Sequence, residues 1–263
     1  MGNTLENSTG KPLADANWLA FHHKAKLPER IAFAKRLATL NPKSVVDLGC
    51  ASGLWLEVLD QNFPTECEFI GIDSDEELLN MAIQKSKSWQ RKVSFIQLDL
   101  EHEAFRIPPC DLTLAFNIFS YIRDLDSFVN TLSRRTPRGM LAVRQYDGAS
   151  IRFGPMPTSK RQEIDIDIRI TTESSQRFHH YDLDRTFDVL RHSSYPQCNY
   201  EFELFERSSP FPTDFLPYYK ETLLWTCQLL SEKSADYLRT WIDADPLMLN
   251  RYIYEVDLVA LLS

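Results

Sequence analysis

The stretch Val45-Val46-Asp47-Leu48-Gly49-Cys50-Ala51-Ser52-Gly53 decides the fold. An apolar strand runs directly into a turn of small residues, and an amphipathic helix follows the turn. Small residues let the backbone approach a ligand closely, and the start of the helix offers free N–H groups. Asp47 at the strand end adds an acceptor for an ammonium or amide group. The segment therefore predicts a strand, a ligand-binding turn suited to an amino-acid moiety, and a helix.

Strands and helices alternate along the chain from this point. The predicted strands are Ser44–Leu48, Phe69–Ile72, Val93–Leu98, Asp111–Phe116 and Met140–Gln145, and the predicted helices are Gly53–Asn62, Asp75–Trp89 and Leu125–Arg135. The strands are continuous apolar runs, which is typical of a parallel sheet covered on both faces. We expect an α/β fold, a doubly wound, mostly parallel seven-stranded sheet with helices on both faces.

The flanking regions add elements to this sheet. Two helices are predicted over Asn17–Leu40, with Pro28 at the start of the second. After Asp147, alternating isoleucines at positions 164, 166, 168 and 170 predict a strand within an insertion. The remaining predicted elements are helix Leu183–His192, strand Tyr200–Phe205, helices Phe215–Leu230 and Ala235–Ile242, and a last strand, Val256–Leu262.

Composition excludes several classes of protein. The net charge of -8 argues against binding to a phosphate backbone, and Arg152, Lys160 and Arg161 are the only hint of a basic patch. No run approaches the ~20 apolar residues of a membrane span, and the polar start of the chain does not resemble a signal peptide. The five cysteines are scattered without a Cys-x-x-Cys pair, which predicts reduced, mostly buried side chains. We expect a cytoplasmic protein without a membrane partner.

A dinucleotide-binding fingerprint is an alternative interpretation of the turn, because Gly-x-Gly-x-x-Gly also follows a strand and opens a helix. Its register does not fit this sequence. With Gly49 as the first glycine, Ala51 occupies the second position and Leu54 the third. The glycine that permits close helix–strand packing is therefore missing, which disfavours NAD.

The turn instead resembles the first motif of the class I S-adenosylmethionine-dependent methyltransferases. That motif is an acidic residue, any residue, and then glycines at alternate positions, here Asp47, Gly49, Ala51 and Gly53. Ala51 is the one departure, and it adds a methyl group beside the ligand path while the backbone avoids angles that only glycine adopts. The resemblance implies S-adenosyl-L-methionine as cofactor, S-adenosyl-L-homocysteine as product, and contacts from this turn, including Cys50.

Two further motifs of the family follow at the ends of the next strands. The resemblance places Asp73, with Ser74, on the ribose hydroxyls, and a carboxylate offers two acceptors that match a vicinal diol. It places Asp99 against the adenine amino group and Leu100 against the ring. Asn117 ends the fourth strand, where open α/β sheets bind ligands. Each aspartate alone is more often a helix cap than a ligand group, but acids at the ends of three successive strands favour the cofactor.

The acceptor side is less defined by the sequence. Methyl transfer requires alignment of a nucleophile, with a base only where the acceptor loses a proton. Tyr146, at the end of the fifth strand, and His22, beside Lys24 on the N-terminal helix, are the candidate catalytic residues. A strand-end hydrogen-bond network for Tyr146 and a half-buried helical histidine for His22 remain open. Asn117 lacks the family's following proline-proline-aromatic signature, which is consistent with a small-molecule acceptor.

Two further groups of side chains have open interpretations. His179 and His180 are adjacent, but no third ligand stands at a telling spacing, so no metal site is expected. The aromatic residues of the C-terminal region either wall an acceptor pocket or form a core stripe on a helix. They are Phe211, Phe215, Tyr218, Tyr219, Trp225 and Tyr237.

The sequence predicts a methyltransferase for a small organic acceptor, with oxygen, nitrogen or carbon as the attacked atom. An RNA or protein methyltransferase and a non-catalytic cofactor-binding protein are the alternatives. Residues 1–42 are expected to cover the cofactor site, residues 43–149 to form the cofactor-binding half, and residues 150–263 to form the acceptor side. The sequence leaves open the oligomeric state and whether the 148–177 insertion acts as a lid.

Overall fold

The computed structural model describes residues 16–147, 151–173 and 183–263. The strands are β1 (Ser44–Leu48), β2 (Glu68–Asp73), β3 (Val93–Gln97), β4 (Leu112–Phe116), β5 (Met140–Tyr146), β6 (Arg152–Gly154), β7 (Cys198–Ser208) and β8 (Tyr252–Leu262). The helices are α1 (Ala16–Ala25), α2 (Leu27–Ala38), α3 (Leu54–Asp60), α4 (Glu76–Ser86), α5 (Leu100–Glu103), α6 (Leu125–Arg135), α7 (Thr158–Glu173), α8 (Leu183–His192), α9 (Leu216–Cys227) and α10 (Glu232–Asp243).

The strands form one sheet with the order β3-β2-β1-β4-β5-β8-β6, and β7 pairs with β8. Strands β1 to β5 are parallel, whereas β8 runs antiparallel to its neighbours. Strand order reverses between β1 and β4, and open α/β sheets bind ligands at the carboxyl ends of strands beside such a reversal. The doubly wound, mostly parallel sheet is confirmed.

The predicted number of seven strands is too low by one within the described residues. The additional strand is β6. Because β7 pairs along the whole length of β8, β5 and β6 both pair with the other edge of β8. Tyr146 pairs with Asp257 and Arg152 pairs with Tyr254, so β6 continues the line of β5 after a local interruption. Three paired residues are too few to give a period in the sequence.

Side chains of the central strands alternate between two cores. Leu112 and Leu114 of β4 pack with Phe33 of α2 on one face. Val46 and Leu48 of β1 pack with α6 and its neighbours on the other face. Helices therefore cover both faces, which explains why the strands are continuous apolar runs.

A third apolar cluster joins α1, α7, α9 and α10 with β6 and β8. The strand predicted over Ile164–Ile170 is wrong, because these residues belong to helix α7. Ile164 and Ile168 are buried in this cluster, whereas Ile166 and Ile170 are 57% and 61% exposed. Residues four apart share a helix face. Four isoleucines spaced two apart are therefore compatible with a helix in which only the first and third are buried.

Several other expectations can be compared with the structure. Helices α8 to α10 and strands β7 and β8 lie where they were predicted. Strand β7 is longer at both ends than predicted, and β8 begins earlier. All five cysteines are free, and four are buried. His179 and His180, together with the two ends of the 148–177 insertion, lie outside the described residues. None of the helices in the described ranges combines the length and apolar character that crossing a membrane requires.

Candidate functional site

A cavity of about 560 Å³ lies at the carboxyl ends of β1 to β5, under α1 and α9. Ten of the predicted site residues line it: Gly49, Cys50, Ala51, Asp73, Ser74, Asp99, Leu100, Asn117, Tyr146 and His22. Asp47 and Gly53, which were also predicted to bind the cofactor, are absent from its lining. The sheet thus brings together residues from five strand ends, as the predicted topology requires.

The turn after β1 packs closely against Ile118 only because it carries a glycine. Gly49 has φ +69°, and a Cβ at this position would lie 2.5 Å from Cγ2 of Ile118. The N–H groups of Gly49 and Cys50 both donate to the carbonyl of Ile72, at 2.8 and 2.9 Å. The turn is therefore tied to the end of β2 by two backbone hydrogen bonds.

Ala51 does not avoid the left-handed region as expected, since its φ is +47°. This conformation costs a non-glycine residue roughly 1 kcal/mol. In this position its N–H donates to Oδ2 of Asp73 at 2.8 Å. A hydrogen bond to a carboxylate is stronger than one between neutral groups, and it offsets the strain. The turn and the acid at the end of β2 therefore form one unit.

Asp73 retains hydrogen-bonding capacity on both carboxylate oxygens. Oδ1 accepts from the N–H of Asp75 at 2.9 Å, while Oδ2 accepts from Ala51. Burial raises the pKa of Asp73, and the hydrogen bonds from Asp75 and Ala51 oppose that rise. An ionised carboxylate has about four acceptor sites, so Asp73 keeps acceptor capacity for a vicinal diol in the cavity.

Asp99 and Asn117 each combine a structural bond with a place on the cavity wall. Asp99 is the N-cap of α5 and accepts from the N–H of Glu101 at 2.9 Å, so the cap interpretation and the ligand interpretation are compatible. Asn117 has φ +56°, and its Oδ1 accepts from the N–H of Tyr146 at 2.8 Å. Asn117 therefore fixes the end of β5 relative to β4.

Asp47 and Gly53 lie behind the turn. Asp47 is 2% exposed, and its Oδ2 has no hydrogen-bond partner among the described residues. Burial, with a smaller contribution from Asp73, raises the pKa of Asp47 to about 8. Gly53 is the N-cap of α3 with φ +73°, and a Cβ there would lie 3.2 Å from that of Ala82. Both residues shape the turn from its far side.

The acceptor-side wall is aromatic. The rings of Trp18, His22 and Tyr218 form a triangular cluster, with centroid distances of 5.0 Å (Trp18–His22), 5.4 Å (His22–Tyr218) and 6.1 Å (Trp18–Tyr218). Trp225 of α9 and Tyr146 complete this wall. All six aromatic residues of the C-terminal stretch belong to or pack against the third apolar cluster. Tyr218 and Trp225 also line the cavity.

Two groups of buried ion pairs lie next to this wall. Lys26 forms an ion pair with Glu255, which also accepts a hydrogen bond from the hydroxyl of Tyr218. Arg144 of β5 donates to Asp257 at 2.6 Å and to Glu203 at 2.7 Å. Buried ions need such partners, because an uncompensated buried charge costs several kcal/mol, roughly, in lost hydration.

Sequence reasoning missed Arg30 and Glu255, which both line the cavity. Arg30 lies in α2, one of the helices expected to cover the site, but no local motif distinguishes it from Arg36 in the same helix. Glu255 interrupts the apolar character of the last strand, and this interruption was the available signal. Its ion-pair partner Lys26 is 229 positions away along the chain.

Comparison with known proteins agrees with this geometry. Residues 45–139 match the family described as "Methyltransferase domain". The match runs from β1 to the residue before β5. Trans-aconitate 2-methyltransferase of Yersinia pestis (strain Pestoides F) is 32% identical over 108 residues, 41% of this chain and 40% of that protein. Malonyl-acyl-carrier-protein O-methyltransferase of Legionella pneumophila is 26% identical over 110 residues, 42% of this chain and 37% of that protein.

The chain thus spans 40% and 37% of the length of these two relatives. The YcgJ protein of Bacillus subtilis has a similar solved structure, with a TM-score of 0.53, 14% identity, and coverage of 90% of this chain and 98% of that chain. A protein of Bacillus halodurans C-125 gives a TM-score of 0.53 at 12% identity, covering 88% and 97% of the two chains. At these identities the likeness establishes the fold.

The residues that line the cavity fit S-adenosylmethionine. A Cβ at Gly49 would collide with Ile118, so only a glycine lets the turn approach Ile118 this closely at the cavity wall. Asp73 has spare acceptor sites for a diol, and Asp99 has an exposed carboxylate for an amino group. The opposite wall carries aromatic rings and a buried guanidinium, Arg30.

Proposed function

We propose that the protein is an S-adenosylmethionine-dependent methyltransferase that acts on a small organic acceptor. The observation that carries this proposal is the convergence of the glycine turn, Asp73 and Asp99 on one cavity that also has an aromatic wall. The first group provides places for an amino-acid moiety, a ribose and an adenine. The aromatic wall provides a place for an acceptor beside them.

The mechanism requires little covalent chemistry from the chain. When bound, S-adenosylmethionine would supply an electrophilic methyl group on its sulfonium, which would pass to a nucleophile of the acceptor by in-line displacement, with S-adenosylhomocysteine as the leaving group. Asp73 would accept hydrogen bonds from the ribose hydroxyls, and Asp99 would accept one from the adenine amino group. Tyr146, fixed by Asn117, and the stacked ring of His22 orient the acceptor from the opposite side. Alignment of this kind supplies a large part of the rate enhancement of a displacement.

The proposed acceptor class rests on three observations. The names of the two relatives refer to trans-aconitate and to malonyl-acyl-carrier protein, which favours a small organic group as the acceptor. The net charge is -8. The sequence hint of a basic patch also disappears, because Arg152 and Arg161 both pair with Asp165, and Lys160 pairs with Glu163.

Incubation with S-adenosylmethionine labelled on the methyl group tests this function. The acceptor panel holds small carboxylic acids, phenols and amines, and total RNA and protein form separate reactions. We expect label to move to a member of the small-molecule panel, with formation of S-adenosylhomocysteine. Label on RNA or protein alone would contradict the acceptor class. Binding of S-adenosylhomocysteine without any transfer favours the non-catalytic alternative.

A further inference from the structure

Arg30 is a buried cation whose charge has no carboxylate partner. It is 8% exposed and lines the cavity. Among the described residues, no carboxylate oxygen lies within ion-pair distance of its guanidinium, whereas the neighbouring Lys26 and Arg144 both have such partners. The side-chain partners of Arg30 are His23 and His22, and its guanidinium lies 4.9 Å from the ring centroid of Trp55.

Asp257 and Asp47 favour the charged form of Arg30 from a distance, but neither forms an ion pair with it. Asp257 is already engaged by Arg144. The pKa of Asp47 is raised to about 8 by burial, so this side chain is mostly protonated at neutral pH. Burial lowers the pKa of Arg30 to about 10, at which value the guanidinium is still charged at neutral pH. Arg30 is therefore a buried cation whose lost hydration is not offset by a direct carboxylate contact.

His22 adds a second donor beside Arg30. Its Nδ1 lies 3.4 Å from Nη2 of Arg30, and a guanidinium can only donate, so Nδ1 accepts and Nε2 carries the proton. Burial, together with Lys26 and Arg30, holds the pKa of His22 well below its usual value. His22 is therefore a neutral hydrogen-bond donor, and this arrangement does not suit a proton acceptor.

We propose that Arg30 and His22 form a carboxylate-binding subsite on the wall of this cavity. The planar fork of a guanidinium matches the two oxygens of a carboxylate, and such pairs are among the strongest hydrogen-bonded contacts. The carboxylate belongs to the methionine part of the cofactor or to the acceptor. The inference rests on the proposed function and assigns one subsite within it.

The variants Arg30→Met and Arg30→Lys test the subsite, with Arg36→Met as the control. Arg36 lies in the same helix but is exposed and pairs with Glu201. Calorimetry measures binding of S-adenosylhomocysteine, and of 5′-methylthioadenosine, which lacks the amino-acid part. The protein loaded with S-adenosylhomocysteine is then titrated with malonate as a simple carboxylate.

We expect Arg30→Met to weaken one carboxylate ligand by roughly 10- to 100-fold, Arg30→Lys to restore part of the loss, and Arg36→Met to leave affinity unchanged. Loss of S-adenosylhomocysteine affinity with unchanged 5′-methylthioadenosine affinity assigns the carboxylate to the cofactor. Unchanged S-adenosylhomocysteine affinity with loss of malonate binding assigns it to the acceptor. If Arg30→Met changes neither the affinity for S-adenosylhomocysteine nor the binding of malonate, the proposal is overturned. Failure of the unaltered protein to bind S-adenosylhomocysteine overturns the proposed function and this inference with it.

Thermal unfolding without ligand separates this role from a structural one. Removing an uncompensated charge relieves a cost, so the melting temperature of Arg30→Met is expected to equal or exceed that of the unaltered protein. Arg144→Met leaves Asp257 and Glu203 without their partner and is expected to lower it. A lowered melting temperature for Arg30→Met, with unchanged ligand affinities, would mean that Arg30 stabilises the fold only.

Discussion

Asp73→Ala is expected to weaken binding of S-adenosylhomocysteine without unfolding the protein. Asp73 keeps acceptor capacity for the ribose beyond its bonds to the N–H groups of Ala51 and Asp75. A hydrogen bond to a charged group is worth about 1.5–3 kcal/mol, so the loss of the diol contact costs about 3 kcal/mol, or roughly 100-fold in Kd. Asp73→Asn keeps one acceptor oxygen and is expected to lose roughly tenfold.

Isothermal titration calorimetry on the purified variants measures this loss, and thermal unfolding confirms that each variant is folded. Asp75→Ala is the matched control, because Asp75 caps α4 through the N–H groups of Glu77 and Leu78 and does not line the cavity. Its loss costs about 1 kcal/mol of stability while affinity stays within about threefold. The assignment of Asp73 is refuted if a folded Asp73→Ala variant binds within about threefold of the unaltered protein.

Other substitutions test the turn and the buried titratable groups. Gly49→Ala places a Cβ 2.5 Å from Ile118 and should lower the free energy of unfolding by about 1–3 kcal/mol in urea titrations; unchanged stability would contradict the close approach. Ala51→Gly removes the strain at φ +47°, so stability should stay within about 1 kcal/mol and affinity for S-adenosylhomocysteine should persist; a loss of roughly tenfold or more would count against this. Because the pKa of Asp47 is raised from 3.8 to about 8, stability is lost as pH rises through that range, by up to about 1.4 kcal/mol per pH unit. Asp47→Asn should therefore stabilise the protein more at pH 8 than at pH 5 in thermal unfolding, and a gain independent of pH would refute the shift. Burial lowers the pKa of His23 to about 3, so its NMR ring signals should not titrate between pH 5 and 8; a midpoint near 6.5 would contradict its burial beside Arg30.

The sequence predicted the bounds of an element best where a turn or a helix-capping residue stands at its end. Strand Ser44–Leu48 and helix Leu125–Arg135 have the predicted bounds. A turn of small residues follows the strand, and Asp124 caps the helix by accepting from the N–H of Ser127. Where such signals were missing, in the segment Ile164–Ile170, the period alone chose the wrong structure, because burial of every second isoleucine depends on contacts with α10 and β6.

The same distinction holds within the site. Gly49, Asp73, Asp99 and Asn117 were found because parallel strands place their carboxyl ends at one edge of the sheet, and this placement follows from the topology. The acceptor wall does not follow from any local pattern. Glu255 reaches the cavity because the antiparallel β8 carries it past the end of β5, a relationship that only the assembled sheet defines.

Ala51 illustrates a limit of reading one position at a time. Its side chain suggested a backbone that avoids left-handed angles, yet its N–H is needed by Asp73, which is 22 positions away. A long-range hydrogen bond to a carboxylate outweighs a local preference of roughly 1 kcal/mol. The motif therefore tolerates alanine at this position because the second acid supports the strained turn.

Calorimetric titration of the unaltered protein with S-adenosylmethionine and S-adenosylhomocysteine, beside NAD, tests the central claim most directly. The cavity geometry predicts micromolar binding of both methionine-derived ligands and no binding of NAD. Binding of NAD alone would contradict the assignment of the glycine turn, and absence of binding by all three ligands would contradict the proposed cofactor site.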